Sequence, residues 1–567
     1  MDLFAQIVDF VEHLVWSSGI PVGAETIPFL VIALLGTGVL MTIRLNLIQL
    51  SRLAHGFAVA TGRYDDPDEP GDVSHFQALT TALSATVGIG NIAGVAIAIH
   101  FGGPGALFWM WITAFLGMAV KFSEVTLALN YRQVEKAGTG ESAAMVGTVS
   151  GGPMYYIEHG LGPKWKPLAM FFAAMLIVTS FLTGNSVQAN TVADTMFAEF
   201  GVPMWITGLI TAAIVGTVIL GGIQRIGAVT GILAPTMATI YLLGALVILV
   251  LNASAIVPTF GLILREAFNP TAGVAGTGVG AFLVTMMWGV RRGLFSNEAG
   301  QGSAPIAHAA AKTDEPVSEG VVALLEPFID TIVICTMTGL VILTTGVWDD
   351  RVPTPLSFGG DVSYVEIADD GAVSTVATPD AIQIRDGLQP PDGPQYAWHE
   401  VAVDRLFVDA DMTQPFTGVL EPIAGQAVAT DGTVYETLYG GAVENGAPLT
   451  KLAFERTLGS IGGYIVLLCV LLFAISTAIS WSYYGDRCSN YLFGHKAILP
   501  FKVIFVLMHF VGAVTSLSTI WTLGDIALGL VTLPNLLALV LLSGVVVKLT
   551  RSYFERKPWL QRSKSQA

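Results

Sequence analysis

The residues of this chain whose types and spacing point most directly to chemistry are Ser84-Ala85-Thr86-Val87-Gly88-Ile89-Gly90-Asn91-Ile92-Ala93-Gly94. They sit at the centre of an apolar run from about Phe76 to Phe101, long enough to span a bilayer at about 1.5 Å of rise per residue. Glycine costs about 1 kcal/mol relative to alanine inside a helix. A helix broken at mid-membrane also frees backbone N–H and C=O groups that lipid cannot satisfy. Such a break is tolerable where it lines a protein cavity and something polar uses the freed groups. A half-helix ending near Ala85 or Thr86 offers carbonyls, which suit a cation. A half-helix starting near Gly90 offers N–H groups and a positive dipole end, which suit a carboxylate. Together these make the substrate and ion site of a secondary transporter. The competing reading is close packing of two helices on small residues, and the run alone leaves both open.

Asp330 is the sharpest single residue. A carboxylate near the middle of a span is costly and normally functional; it can ligate a cation, accept an ammonium or exchange a proton. Glu326, one turn earlier and followed by Pro327, reads as solvated near the inner side. Asn185, Gln188 and Asn190 cannot all face one way on a helix, but Asn185 and Gln188 can; Gln188 is the candidate ligand contact. Lys121 and Glu124, at i and i+3, read as a structural ion pair or a snorkelling lysine. Arg291, Arg292 and Glu298 read as a gate network just inside the membrane. His100 and His308 have no companion metal ligands and read as structural.

Composition sets the frame for these residues. The 567-residue chain has mean hydropathy +0.65 and only 12% charged residues, which is an integral membrane protein. Cys335, Cys469 and Cys488 lie in or beside apolar runs, so no disulfide framework is expected. Of the net charge of −16, −13 falls between Asp349 and Arg456; the acidity belongs to one segment, and no basic patch with aromatics points to nucleic acid. No phosphate-binding loop, catalytic triad or metal cluster is present, which disfavours an ATP-driven pump. The start, Met1-Asp2-Leu3-Phe4, lacks the basic region of a signal peptide. Leu3, Phe4, Ile7, Val8, Val11 and Leu14 recur at helical spacing and predict a short interfacial helix.

Apolar runs predict about eleven transmembrane helices, at roughly 27–48, 75–101, 104–130, 166–190, 203–222, 228–251, 277–293, 318–346, 459–484, 500–520 and 524–549. With the N-terminus outside, twenty Lys and Arg fall in the inside segments and six in the outside ones. That asymmetry predicts an odd number of spans, N-terminus out and C-terminus cytoplasmic. The expected organisation is a membrane part at 1–347 and 457–550, an extracytoplasmic acidic insertion at 348–456 and a basic cytoplasmic tail at 551–567. Alternating runs such as Ser363–Ile367 and Thr433–Thr437 predict that the insertion is a small β-rich module; the competing reading is a disordered acidic loop.

With the spans placed, Ala82–Ala96 resembles the sodium:alanine (alanine or glycine:cation) symporter family. So do Arg292-Gly293-Leu294-Phe295-Ser296-Asn297-Glu298-Ala299-Gly300, Ser303–Ala307, Phe328-Ile329-Asp330-Thr331 and Trp481-Ser482-Tyr483-Tyr484-Gly485. The resemblance covers about residues 30–550 without the acidic segment. It implies an all-α, LeuT-type fold of two inverted five-helix repeats, preceded here by an extra N-terminal helix. The second broken helix is then expected at Met286–Val290. The substrate carboxylate would sit on N–H groups of Ile89, Gly90 and Asn91. Its ammonium would meet carbonyls of Met287, Trp288 and Gly289 or the Asp330 carboxylate, with Trp288 either walling the pocket or simply packing. Sodium would use carbonyls near Ser84 and Val87 with the hydroxyls of Ser476 and Thr477, Thr86 being a further candidate. Without the resemblance, those hydroxyls read as bonded to their own helix.

The implied function is sodium-coupled import of a small neutral amino acid, alanine or glycine, across a cell inner membrane, with no organic cofactor. The rival readings are proton coupling through Asp330, a transporter-like receptor that uses the insertion, and a channel.

Overall fold

The computed structural model describes residues 8, 10–22, 25–66, 68–134, 148–270, 279–358, 362–367, 373–390, 393–399, 401–515 and 517–560. Leu3, Phe4 and Ile7 of the expected interfacial helix lie outside these residues, as do Lys136, Arg562 and Lys564 of the charge count.

The described chain is mostly helical. Among its residues, seven helices are long and apolar enough to cross a membrane: Ala106–Asn130, Pro163–Phe200, Gly222–Leu251, Pro316–Thr345, Ser460–Phe493, His495–Val514 and Thr522–Leu560. A further pair, His75–Thr86 and Gly90–Gly102, passes the same test together and is bent by 54° at the break between its halves. Phe29–Arg44 and Met204–Ile219 are shorter apolar helices, and Val279–Asn297 lies on the run expected at 277–293. Exposed Ile43, Val250, Ile461 and Leu507 cover the outside of these helices, a surface that lipid rather than water accommodates. Ala106–Asn130 is the most enclosed, with 83% of its apolar window buried. Its polar residues Lys121 and Glu124 are therefore committed to partners inside the protein.

Among the described residues, two helices of more than ten residues lie where no span was expected. Ala253–Phe268 carries Pro258, Arg265 and Glu266 on an otherwise apolar stretch and leaves Val257, Leu264 and Phe268 exposed. Gly446–Leu458 starts at Asn445, whose side chain accepts a hydrogen bond from the Gly446 N–H. Near the N-terminus, the π-turn His13–Ser17 leads into an antiparallel hairpin, Gly19–Val22 with Glu25–Pro28.

Between Arg351 and Val443 the chain forms strands in three antiparallel sheets. Val362–Ile367 pairs with Val373–Val376 and Gln395–Trp398, and Arg351–Ser357 pairs along its length with Thr437–Val443. The expected strand at Ser363–Ile367 is present, whereas Thr433–Thr437 divides between two strands. Residues from these sheets, including Leu356, Tyr364, Ile384, Tyr396 and Leu420, bury a separate apolar cluster together with Phe416 from a connecting segment. Because Arg351 pairs with Val443, the two ends of the strand-rich segment are adjacent. A contact with the helical part runs from His100 Nε2, which donates to the His399 carbonyl at 2.8 Å.

Candidate substrate and cation site

The site is built on the interrupted helix. Ser74 starts it with a capping box: its hydroxyl accepts the Gln77 N–H at 3.2 Å, and Gln77 Oε1 accepts the Ser74 N–H at 3.1 Å. The chain leaves helical geometry at Val87 (φ −75°, ψ 87°). Asn91 then stabilises the break from the other lip. Its Oδ1 accepts the Gly88 N–H at 2.8 Å, and its own N–H donates to the Gly88 carbonyl at 3.1 Å. Thr338 Oγ1 donates to the Asn91 carbonyl at 2.8 Å, and Thr450 Oγ1 to the Ile92 carbonyl at 3.0 Å. Groups freed by the break are thus taken up by side chains from distant helices, as burial in an apolar medium requires.

On the first lip, Thr477 Oγ1 lies 3.1 Å from the Ser84 carbonyl and 3.3 Å from the Ala85 carbonyl. Ser476 Oγ lies 3.3 Å from the Ser84 carbonyl while donating to its own helix at Phe473, 2.9 Å. The Ser84 hydroxyl is buried and has no partner among the described residues. Several neutral oxygens therefore converge at a helix C-terminus, a donor set that fits a hard monovalent cation. Thr86, by contrast, turns its hydroxyl back to Ala82 and Leu83 at 3.3 Å each. Gly88 is confined by the same cluster: a Cβ there would lie 2.7 Å from Thr477 Oγ1. Gly88→Ala is expected to weaken sodium dependence of any activity about tenfold or more by displacing that hydroxyl, checked by a sodium titration of the variant.

A small cavity opens between the lips, about 10 Å³ and room for roughly one water. Ala85, Gly88, Ile89, Gln188, Glu298, Thr477 and Trp481 are in its wall. Gln188 Nε2 donates to the Thr183 carbonyl at 3.2 Å, but its Oε1 is buried without a partner among the described residues. Trp481 Nε1 donates to Glu298 Oε1 at 3.0 Å, and Ser303 Oγ to Glu298 Oε2 at 2.5 Å. The indole fits because position 184 is glycine; a Cβ there would lie 2.3 Å from Trp481 Cγ. Asp330, which is not in the cavity wall, is completely buried against the second lip. Asn91 Nδ2 donates to its Oδ1 at 2.6 Å, and Ser296 and Thr331 hydroxyls donate to its Oδ2 at 2.7 Å each.

Residues 1–359 and 417–566 match the model of the sodium:alanine symporter family. The chain belongs to that family. The unmatched interval, 360–416, falls within the strand-rich segment. Sodium/alanine symporter AgcS of Methanococcus maripaludis is 39% identical over 558 residues, covering 97% of this chain and 98% of the relative. Amino-acid carrier protein AlsT of Bacillus subtilis is 29% identical, with 93% and 90% covered. "Probable sodium/glutamine symporter GlnT" of the same organism is 30% identical, with 98% and 92% covered. The family is one of transporters, so this chain is a multi-pass membrane transporter and not an enzyme.

Several expected residues of this family member lie elsewhere than the sequence suggested. Met287, Trp288 and Gly289 are not at a helix break; Val279–Asn297 runs continuously through them. Gly289 serves close packing instead, since a Cβ there would lie 2.4 Å from the Ala106 carbonyl. Trp288 stacks on Phe101 with centroids 4.6 Å apart, outside the cavity wall. That helix ends at Asn297, beyond which Glu298, Gly300 and Gly302 have positive φ of 54°, 91° and 78°. Arg291 and Arg292 do not join Glu298. They face Asp525 at 2.6 and 3.8 Å, and Glu298 faces the cavity. Asn185 points away from Gln188, donating to the Phe505 carbonyl at 2.8 Å, because the π-turn Leu182–Ser186 resets the helix phase.

Lys121 pairs with Glu326 at 3.2 Å rather than with Glu124, which hydrogen-bonds Asn535. Glu326 is buried, not solvated. His308 is flanked by two carboxylates rather than isolated. Cys335, Cys469 and Cys488 are buried and free.

Proposed function

We propose that this protein is a sodium-coupled symporter that imports a small neutral amino acid, alanine or glycine, by alternating access. The observation that carries the reading is the meeting of Ser476 and Thr477 hydroxyls with the Ser84 and Ala85 carbonyls at a helix break that also walls a cavity. The broken helix then belongs to both sites. A cation on its first lip stabilises the same closed arrangement as a substrate carboxylate on the N–H groups near Ile89 and Gly90. Gln188 Oε1, buried and open to the cavity, is the acceptor for the substrate ammonium. Asn91 and Asp330 hold the second lip. Val87 contributes its carbonyl to sodium, with Thr86 in reserve. The ammonium role expected of Met287, Trp288 and Gly289 passes to Gln188, since they lie outside the cavity wall.

The architecture that goes with this reading has eleven spans in a LeuT-type inverted repeat after one extra helix. Its N-terminus is outside and its C-terminus cytoplasmic, in the inner membrane. The helix breaks at 87–89 and 298–302 are the matched interruptions of the two repeats. The domain division is 1–347, an external insertion at 348–456, 457–550 and the tail from 551. The relative named Sodium/alanine symporter supports alanine as first choice, and the cavity, smaller than an amino acid, fits a closed state that opens around its substrate.

The test is uptake of labelled alanine or glycine into proteoliposomes under a sodium gradient, against potassium or choline. Sodium-dependent uptake is the expected result; none for either amino acid would remove the substrate assignment. A second reading, proton coupling through Asp330, is favoured by its burial among neutral donors; uptake driven by a proton gradient without sodium, lost in Asp330→Asn, would establish it instead. Because its ends pair at Arg351 and Val443, the insertion can be excised at 352–442 and closed with a short glycine linker. That deletion is expected to retain sodium-dependent uptake within about threefold; its abolition would favour a receptor-like role for the module.

A further inference from the structure

Five titratable side chains from four stretches of the chain stand in one buried row that the transport site does not use. His75, at the start of the broken helix, contacts Glu319 through Nδ1. Glu319 meets His308 Nδ1 through its other oxygen at 2.5 Å. His308 Nε2 meets Glu326 Oε1 at 2.6 Å, and Glu326 Oε2 meets Lys121 Nζ at 3.2 Å. All five are buried to 1% exposure or less. The solvent end is different: Asp65, whose side chain is 38% exposed, lies 3.9 Å from His75 Nε2. The inner end reaches toward the cavity, since the Lys121 charge acts on Glu298 in its wall.

We infer that this row is a proton-binding path, entered at Asp65 and ending at the Glu326–Lys121 pair. Its three imidazole–carboxylate contacts need one hydrogen each. They are satisfied by His75 Nδ1–H to Glu319 Oε2, Glu319 Oε1–H to His308 Nδ1, and His308 Nε2–H to Glu326 Oε1. Glu326 is then the one carboxylate and Lys121 its counter-ion. A proton added to His75 Nε2 beside Asp65 lets each hydrogen cross its own contact: Nδ1 to Glu319 Oε2, Glu319 Oε1 to His308 Nδ1, His308 Nε2 to Glu326 Oε1. No hydrogen bond is lost, both histidines end neutral, and Glu326 ends as the acid.

The added positive charge thus appears at Lys121, whose partner has been neutralised. The charges of Glu298 and Glu124 also act on Lys121. Burial makes this displacement consequential, because an unpaired charge in a low-dielectric interior interacts strongly with its neighbours. Among the described residues, other ionisable groups interact with the row: Glu69 with His75, Arg132 with Glu319, Tyr484 with Glu326 and Asp330 with Lys121. The alternation of imidazole and carboxylate, with both ring nitrogens of His308 engaged, suits proton relay. A purely structural ion pair would need only two of these groups.

The site itself does not depend on the substrate assignment; its link to transport rests on the sodium-symport reading. The first test is a pH-difference infrared spectrum of the purified full-length protein in detergent, between about pH 8.5 and pH 5.5. A protonated-carboxyl C=O band should appear at the lower pH, vanish in Glu326→Gln and persist in Asp330→Asn. His308→Gln, which cuts the row while keeping Glu326, should also remove the band. Absence of the band in the wild type, or its persistence in His308→Gln, would overturn the path; if Glu326→Gln fails to fold, His308→Gln decides.

The second test is the pH profile of sodium-driven alanine uptake in proteoliposomes. Half-maximal sodium concentration should shift about fivefold or more across that range in the wild type and less than about twofold in Asp65→Asn or His308→Gln. An intact infrared signature with no such shift would keep the proton site and overturn its coupling to transport.

Discussion

Thr477→Ala is expected to raise the sodium concentration for half-maximal uptake by about tenfold to a hundredfold. The hydroxyl lies between two helix-end carbonyls, 3.1 and 3.3 Å from Ser84 and Ala85, so its removal takes one oxygen from a cation held by few. An interaction with a charged group of this kind contributes about 1.5–3 kcal/mol, and each 1.4 kcal/mol is about tenfold in affinity. Alanine is a strong helix former, so Ser460–Phe493 should fold unchanged, which a thermal melt of the purified variant checks. Thr477→Ser keeps the oxygen and should recover sodium affinity to within about threefold. Ser476→Ala should cost less than Thr477→Ala, because the Ser476 hydroxyl already donates to Phe473 within its own helix. Sodium titrations of alanine uptake decide the matter. A Thr477→Ala variant with wild-type sodium dependence would mean that the cation sits elsewhere.

The first helix break was legible as one of two readings: two glycines and an asparagine in the centre of a long apolar run fit either a use for the freed backbone or close packing of two helices, and the 54° bend between His75–Thr86 and Gly90–Gly102 decides for the break. The break expected at Met286–Val290 is not there, for the converse reason. Gly289 looked like a breaker, yet its missing Cβ is what lets the helix lie against Ala106, so the same residue type served packing at one site and conformation at another. The chain leaves helical geometry only after Asn297, with Gly300 and Gly302 at positive φ, in a polar stretch past the end of the apolar run, where hydropathy gives no signal.

Partners far apart in sequence were the other blind spot. Glu124 was paired with Lys121 by helical spacing alone, whereas the side chain that Lys121 meets is 205 residues away. Likewise His308 looked solitary because Glu319 and Glu326 are arranged around it only by folding. Alternation in the acidic segment announced strands, but nothing in it announced that Arg351 and Val443 would pair or that the strands between them would bury an apolar cluster of their own. Trp481 was visible only as part of a family motif. What lets it pack there is the absent side chain at Gly184, 297 residues earlier in the chain.

Lys121→Met is expected to be the most destabilising single change proposed for this chain. It leaves Glu326 fully buried beside His308 without its ammonium partner, and breaking a buried pair from one side typically costs about 3–5 kcal/mol. The methionine replaces the lysine stem with a side chain of similar length, so little of that cost comes from lost packing. The double variant Lys121→Met/Glu326→Gln removes the stranded charge and keeps a hydrogen-bonding group against His308 Nε2. It should recover more than about half of the loss, since removing both partners together is far less costly than removing one. Thermal melts in a fixed detergent for the two single variants and the double complete the cycle. A strongly favourable coupling in the double variant is the expected outcome. Simple additivity of the two single losses would show that Lys121 and Glu326 are held in place independently, and that the pair is not what fixes Ala106–Asn130 against Pro316–Thr345.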